Sequence, residues 1–136
     1  MIREIVKDKF ILSQKSQLAT LEDVWIENDL RDTLKENHEH CVGMAANMIG
    51  ELKRIIIFQD GKEYVIMYNP IVIKQSDSYH CEEGCLSHLG TRPTKRYKHI
   101  KVEFQDQQMR KRIKTYSDFT AQIIQHEIDH CDGILI

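Results

Sequence analysis

Two histidines four residues apart, His126 and His130, stand in the stretch "QHEIDHCDGILI", with Glu127 directly after the first. On a helix, side chains at i and i+4 point the same way. Two imidazoles so placed can grip one divalent metal ion, and the intervening glutamate can reach a water beside it. Chance placement of two surface histidines would give the same letters. Here, however, Ile123 and Ile124 put His126 on an apolar stripe, where a buried polar pair needs a partner. A catalytic ion of this kind normally has three protein ligands and one open position. The zinc-protease pattern that runs on to a third histidine is not met: Gly133 stands at its glycine, but Ile136 stands where that histidine belongs. The third ligand is therefore expected upstream.

The upstream candidates are few. His38 and His40, in "ENHEHC", and His80, His88 and His99, among polar or charged neighbours, read as surface histidines. Cys81 and Cys85 stand in "HCEEGCLSHLG"; both together with the two histidines would make a closed structural zinc site. Cys85 alone is preferred, because Gly84 allows close backbone approach and Leu86 is expected to continue into the core, whereas Cys81 lies in polar "YHCEE". One thiolate with two imidazoles leaves the fourth position to water.

These residues need a scaffold. At 136 residues the chain is expected to form one domain with its own core. A net charge of −2 offers no global field for nucleic acid or an anionic membrane. No signal peptide is visible in "MIREIVKDKF", and no apolar stretch approaches the roughly 20 residues of a membrane helix. A cytoplasmic protein is expected, in which Cys41, Cys81, Cys85 and Cys131 are thiols or metal ligands rather than disulfides.

Along the chain, apolar residues at 21, 24, 25, 30 and 34 predict a helix from Thr20 to about Asn37, opened by a Thr20–Asp23 capping pair. "LKRIIIFQDGKEYVIMYNPIVI" predicts a hairpin turning at Asp60-Gly61. Alternation through Ile100, Val102 and Phe104 predicts a second antiparallel pair. From Ser117, a plausible N-cap, to Gly133, the period becomes helical, with Phe119, Ile123, His126 and His130 on one stripe. The fold class is α+β, with antiparallel sheets packed around a C-terminal metal-binding helix.

The chain resembles the peptide deformylase family in three motifs, in family order. Gly-x-Gly-x-Ala-Ala-x-Gln is met in part by "CVGMAANM"; Glu-Gly-Cys-Leu-Ser is intact from Glu83 to Ser87; Gln-His-Glu-x-Asp-His is intact from Gln125 to His130. The resemblance implies removal of the formyl group from N-formyl-methionyl peptides of nascent polypeptides. It implies Cys85, His126 and His130 as ligands of one divalent metal ion: Fe2+ in the cell, with Zn2+, Ni2+ or Co2+ as substitutes. Glu127 becomes the general base and then acid. The Leu86 backbone N–H and the motif's glutamine would stabilise the oxyanion, Val42 and Gly43 would border the substrate backbone, and Ile123 would line the methionine pocket.

Departures from the pattern matter. The glutamine position holds Met48, which has no hydrogen to donate, so reduced activity is expected; the alternative is an inactive relative that binds metal and N-terminal peptides or a partner. Cys41 replaces the first glycine, a strained substitution if that backbone has φ > 0. Ribosome docking through a further C-terminal helix is not supported. The basic run Arg92, Lys95, Arg96, Lys98 and Lys101 reads as a solvated strand face in preference to a contact with ribosomal RNA, with Arg96 a candidate partner for Glu83.

Overall fold

The computed structural model describes all residues, Met1–Ile136. Three helices, α1 (Lys9–Leu12), α2 (Ile26–Glu36) and α3 (Asp118–Cys131), surround one five-stranded antiparallel sheet, β1 (Gly43–Ala45), β2 (Ile55–Asp60), β3 (Glu63–Cys85), β4 (His88–Gln105) and β5 (Lys111–Ser117), in sequential order.

β2 explains why "IIIF" has no alternation. Ile55 and Ile57 face a cluster with Leu30 and Leu34 of α2, whereas Ile56 and Phe58 face one with Ile124 and Ile128 of α3. A strand covered on both faces reads as a continuous apolar run. The turn into β3 follows the Asp60-Gly61 signal: Asp60 pairs with Glu63, and Gly61 takes φ +64°.

Two elements differ from expectation. The Thr20–Asp23 box forms, with Asp23 Oδ2 accepting from Thr20 N at 2.9 Å, but it opens a 3-10 turn at Leu21–Asp23 instead of the helix. α2 begins at Ile26, and its buried face is Ile26, Leu30, Thr33 and Leu34, leaving Leu21 and Trp25 exposed. Second, β3 and β4 are far longer than the apolar alternation marks; polar "KQSDSYHCEE" is strand because it pairs with Lys95–Lys101 and neighbours along the hairpin.

α3 starts from Ser117, whose backbone is extended as an N-cap requires, but whose Oγ bonds His99 Nδ1 at 2.9 Å instead of capping the helix. The helix ends as Gly133 requires, at φ +75°, with Ile134 N donating to Asp129 O at 3.0 Å. Distant residues take its last carbonyls: Asn47 Nδ2 donates to His130 O at 2.9 Å, Ser16 N to Cys131 O at 2.9 Å and Arg54 Nη1 to Cys131 O at 3.2 Å. His130 O also accepts from Gly133 N at 3.1 Å, whereas Cys131 O would otherwise lack a partner; together these bonds hold the His130 end of α3 in place. No helix is long and apolar enough to cross a membrane.

Candidate metal centre and its cleft

Near its turn, β3 brings Glu83 and Cys85 onto the face that meets α3, since residues two apart on a strand share a face. The Cys85 Sγ, His126 Nε2 and His130 Nε2 ligand atoms gather within 4.8 Å of one another. Sγ lies 3.4 Å from His130 Nε2, and the two Nε2 atoms are 3.2 Å apart. Metal bonds of about 2.0–2.1 Å to nitrogen and 2.3 Å to sulfur at tetrahedral angles imply N···N near about 3.3 Å and N···S near about 3.6 Å. The residues fit a divalent ion. Cys81 is not in this group; its Sγ accepts from Gln122 Nε2 at 3.6 Å, so the closed four-ligand arrangement is not built. His38, His40, His80 and His99 are exposed, and none joins the cluster; half-buried His88 stays outside it too.

Glu83 is the residue that a search for ligands alone passes over. Its Oε1 accepts from His126 Nδ1 at 2.8 Å, which leaves the Nε2 lone pair free for the ion. The pairing with Arg96 is present: Nη2 to Oε1 at 2.7 Å and Nε to Oε2 at 3.0 Å, while Arg96 Nη1 reaches Asp129 at 2.7 Å. Gln122 Nε2 adds a bond to Glu83 Oε2 at 3.0 Å. Burial raises the Glu83 carboxyl, but bonds from His126, Arg96 and Gln122 outweigh it and bring it down to about 2. The signal in the sequence was position: Glu83 precedes Cys85 by one same-face step.

Glu127 is 4% exposed, its Oε1 has no protein partner, and burial lifts its carboxyl to about 7 despite His126. Burial and the neighbouring His126 push His130 down, so it holds a lone pair at neutral pH. A carboxyl that titrates near neutrality beside a metal-binding triad can take up and return a proton.

A cleft of about 530 Å³ opens onto the cluster, lined among others by Val42, Gly43, Met48, Leu86, Ile123 and Glu127. Gly43 has no room for a side chain: a Cβ would lie 2.6 Å from Ile123 Cγ2 and 2.9 Å from Glu127 Oε2. Met48, on the 3-10 turn Ala46–Ile49, is 1% exposed and packs with the α2-side core while bordering the cleft. Cys41 does not take positive φ, so the expected strain is absent; its Sγ donates to Gly43 O at 2.8 Å instead. Phe119, placed by its spacing on the buried stripe of α3, is 62% exposed at the cleft wall.

An antiparallel sheet braced by a His-Glu-x-x-His helix, with a cysteine from the neighbouring hairpin beside both histidines, is an arrangement that could hold a metal ion and is the kind of site found in metal-dependent hydrolases. The Polypeptide deformylase family profile matches residues 2–136. A peptide deformylase of Clostridium beijerinckii is 52% identical over 136 residues, covering 100% of both chains. One of Dictyoglomus thermophilum is 36% identical over 140 residues, covering 100% of this chain and 91% of the relative. Among solved structures, a Met-Ala-Ser-bound class I type b peptide deformylase of Acinetobacter baumannii superposes with a TM-score of 0.90 at 26% identity, covering 99% of this chain and 97% of that one. The chain belongs to the polypeptide deformylase family and is a hydrolase.

Proposed function

We propose that this protein removes the formyl group from N-formyl-methionyl peptides in the cytoplasm, using one ion held by Cys85, His126 and His130, at a rate limited by Met48. The observation that carries the reading is the buried Glu127 carboxyl beside a triad whose donor spacing suits a metal. Fe2+ is the proposed ion; the mixed sulfur and imidazole set also accepts Zn2+, Ni2+ or Co2+.

When bound, the ion supplies Lewis acidity that makes water nucleophilic near neutral pH. The protein residues do the rest. Glu127 takes the proton of the attacking water as its oxygen bonds to the formyl carbon. The Leu86 N–H donates to the carbonyl oxygen as that oxygen gains charge. Glu127 then returns the proton to the departing amine nitrogen, the C–N bond breaks, and formate and a free methionyl amine result. Glu83 keeps His126 in the tautomer that presents Nε2. Val42 and Gly43 offer backbone to the peptide, and Ile123 forms an apolar wall for the methionine side chain. The peptide in the Acinetobacter baumannii structure, Met-Ala-Ser, has the chemistry of such a product.

The test is formate release from a formyl-Met tripeptide by protein loaded anaerobically with Fe2+ or Ni2+. Turnover is expected for the wild-type chain, more for Met48→Gln, and none for Glu127→Gln with the metal still bound. Silence from both fully loaded wild type and Met48→Gln would overturn the reading.

A further inference from the structure

The two imidazoles of the metal-binding group are not held alike. His126 is fixed at its ring, where Nδ1 meets Glu83 Oε1 at 2.8 Å, and it lies well inside α3. His130 has neither support. Its Nδ1 is buried with no protein partner, and it is the last residue but one of the helix. Helix ends open most readily, because their carbonyls lack intrahelical bonds. A ligating histidine normally has its second ring nitrogen held, so the place of His130 must be set by something other than its ring.

One side chain bonds its backbone. Asn47 Nδ2 donates to His130 O at 2.9 Å. A carbonyl only accepts, so the amide nitrogen must face it and Oδ1 must turn away. That Oδ1 then finds no partner, although Asn47 is only 1% exposed. A buried acceptor without a donor is destabilising; leucine, with the same branched outline, would avoid it. Nor does the helix end depend on this amide, since His130 O also accepts from Gly133 N at 3.1 Å. Stability gives no reason for an asparagine here. The reason lies with His130.

Asn47 is well placed to act as a fixed reference. It belongs to the 3-10 turn Ala46–Ile49, whose four carbonyls are all engaged. Ala46 O accepts from Glu51 N at 3.0 Å, Asn47 O from Gly50 N at 3.1 Å, Met48 O from Val6 N at 2.8 Å and Ile49 O from Arg3 Nη2 at 2.9 Å. The same turn carries Met48 into the cleft wall. The motif Gly-x-Gly-x-Ala-Ala-x-Gln leaves position 47 open, so the resemblance assigns it no role.

We infer that Asn47 is a positioning residue for His130: its amide ties the ligand's backbone to the rigid turn in the cleft wall and so sets where Nε2 stands relative to Cys85 Sγ and His126 Nε2. Metal–ligand distances tolerate only about 0.2 Å, so a slight loosening of this tie is felt at the ion before it is felt in the fold. The inference rests on the proposed metal site and is independent of the formyl-peptide reaction.

Three variants of the whole chain test it. Asn47→Leu fills the same outline without a donor, Asn47→Ala leaves space instead, and Tyr68→Phe removes the bond that another fully buried side chain makes to Glu27, outside the cleft. The readouts are the melting temperature of the metal-free protein, Ni2+ or Zn2+ affinity by chelator competition, and the d–d absorption bands of the Co2+ form, which report ligand geometry. Asn47→Leu should melt at or above the wild-type temperature, yet bind metal about tenfold more weakly and shift the Co2+ bands. Asn47→Ala should melt lower but show the same loss of affinity and the same shift, which decides the matter if leucine overfills the site. Tyr68→Phe should lower the melting temperature and leave both metal readouts at wild-type values. Wild-type affinity and bands in the Asn47 variants, or an equal loss of affinity in Tyr68→Phe, would overturn the inference. Affinity and spectrum are read without turnover, so a wild-type chain that binds metal but leaves formyl peptide uncleaved refutes the proposed reaction and not the role of Asn47.

Discussion

At the level of single side chains, under the proposed function the cleft offers a developing negative charge less than the family motif would, because Met48 stands at the position of the motif's glutamine and a thioether has no N–H to donate. Met48 is 1% exposed and packed against the α2-side core, yet it borders the cleft. Introducing glutamine there costs some packing but restores a donor. One oxyanion donor is worth on the order of 10²–10³ in kcat, so Met48→Gln should raise kcat of formyl-Met peptide hydrolysis by about 10² with little change in KM; an unchanged or lower kcat would show that Met48 is not the limiting residue. Glu83 works one step further back. Glu83→Gln keeps the shape but loses the charge that orients His126 and neutralises Arg96, so the affinity for Ni2+ or Zn2+, read by chelator competition, should fall about 10–100-fold. A merely structural Glu83 would lower the melting temperature and leave the metal constant alone. Sequence pattern made Cys85, His126, His130 and the Arg96–Glu83 pair visible, since residue type and motif carry that information. It missed the second role of Glu83 and the bonds from Gln122 and Asn47, because neither spacing nor type says which distant atoms meet.

Among elements, helix period and turn chemistry were the most readable: α3, the Asp60-Gly61 turn and the β4–β5 pair follow from spacing and glycine alone. The long β3–β4 hairpin did not show, because polar residues such as Lys74, Gln75 and Ser76 carry little strand preference and become strand through pairing with β4. α2 was misplaced at its start, since Leu21 and Trp25 supply helical spacing while lying in the open. Two predictions belong to these connections. Gly133 ends α3 at φ +75°, where an added Cβ would lie 2.5 Å from Ser13 O. Gly133→Ala should therefore cost about 2–4 kcal/mol in urea unfolding, combining left-handed strain with a backbone clash; a loss within experimental error would mean that α1 and α3 can part freely. In the β4–β5 turn, burial raises the Asp106 carboxyl, but N–H donors from Arg110 and Gln108 and the Arg112 side chain outweigh it and hold it below the ordinary carboxylate range. Its contribution is present above the unfolded-state value and lost as pH falls through the lower folded value. Asp106→Asn should thus flatten part of the stability loss on acidification, read from urea midpoints between neutral and acid pH.

For the molecule as a whole, the proposed metal site is the point where the β3–β4 hairpin and α3 meet, and neither element holds all three candidate ligands. Cys85 comes from the strand and both histidines from the helix. The unfolded chain does not bring these donors together, so an ion favours the native state by RT ln(1 + [L]/Kd), about 4 kcal/mol at a thousandfold excess over Kd. Without the ion, two imidazole nitrogens remain 3.2 Å apart beside a buried carboxyl, a cluster that burial penalises whenever it is charged. Stripping the metal with a chelator should lower the melting temperature by about 10 °C, given the size of the chain, and restoring Ni2+ or Zn2+ should recover it. Cys85→Ala should melt near the stripped protein and respond much less to either treatment, since two imidazoles alone hold the ion weakly. If the chelator fully removes metal, as measured by elemental analysis, and the melt does not move, then the helix and hairpin are locked by packing and the Glu83–Arg96–Asp129 bonds alone, and the ion serves chemistry without serving the fold.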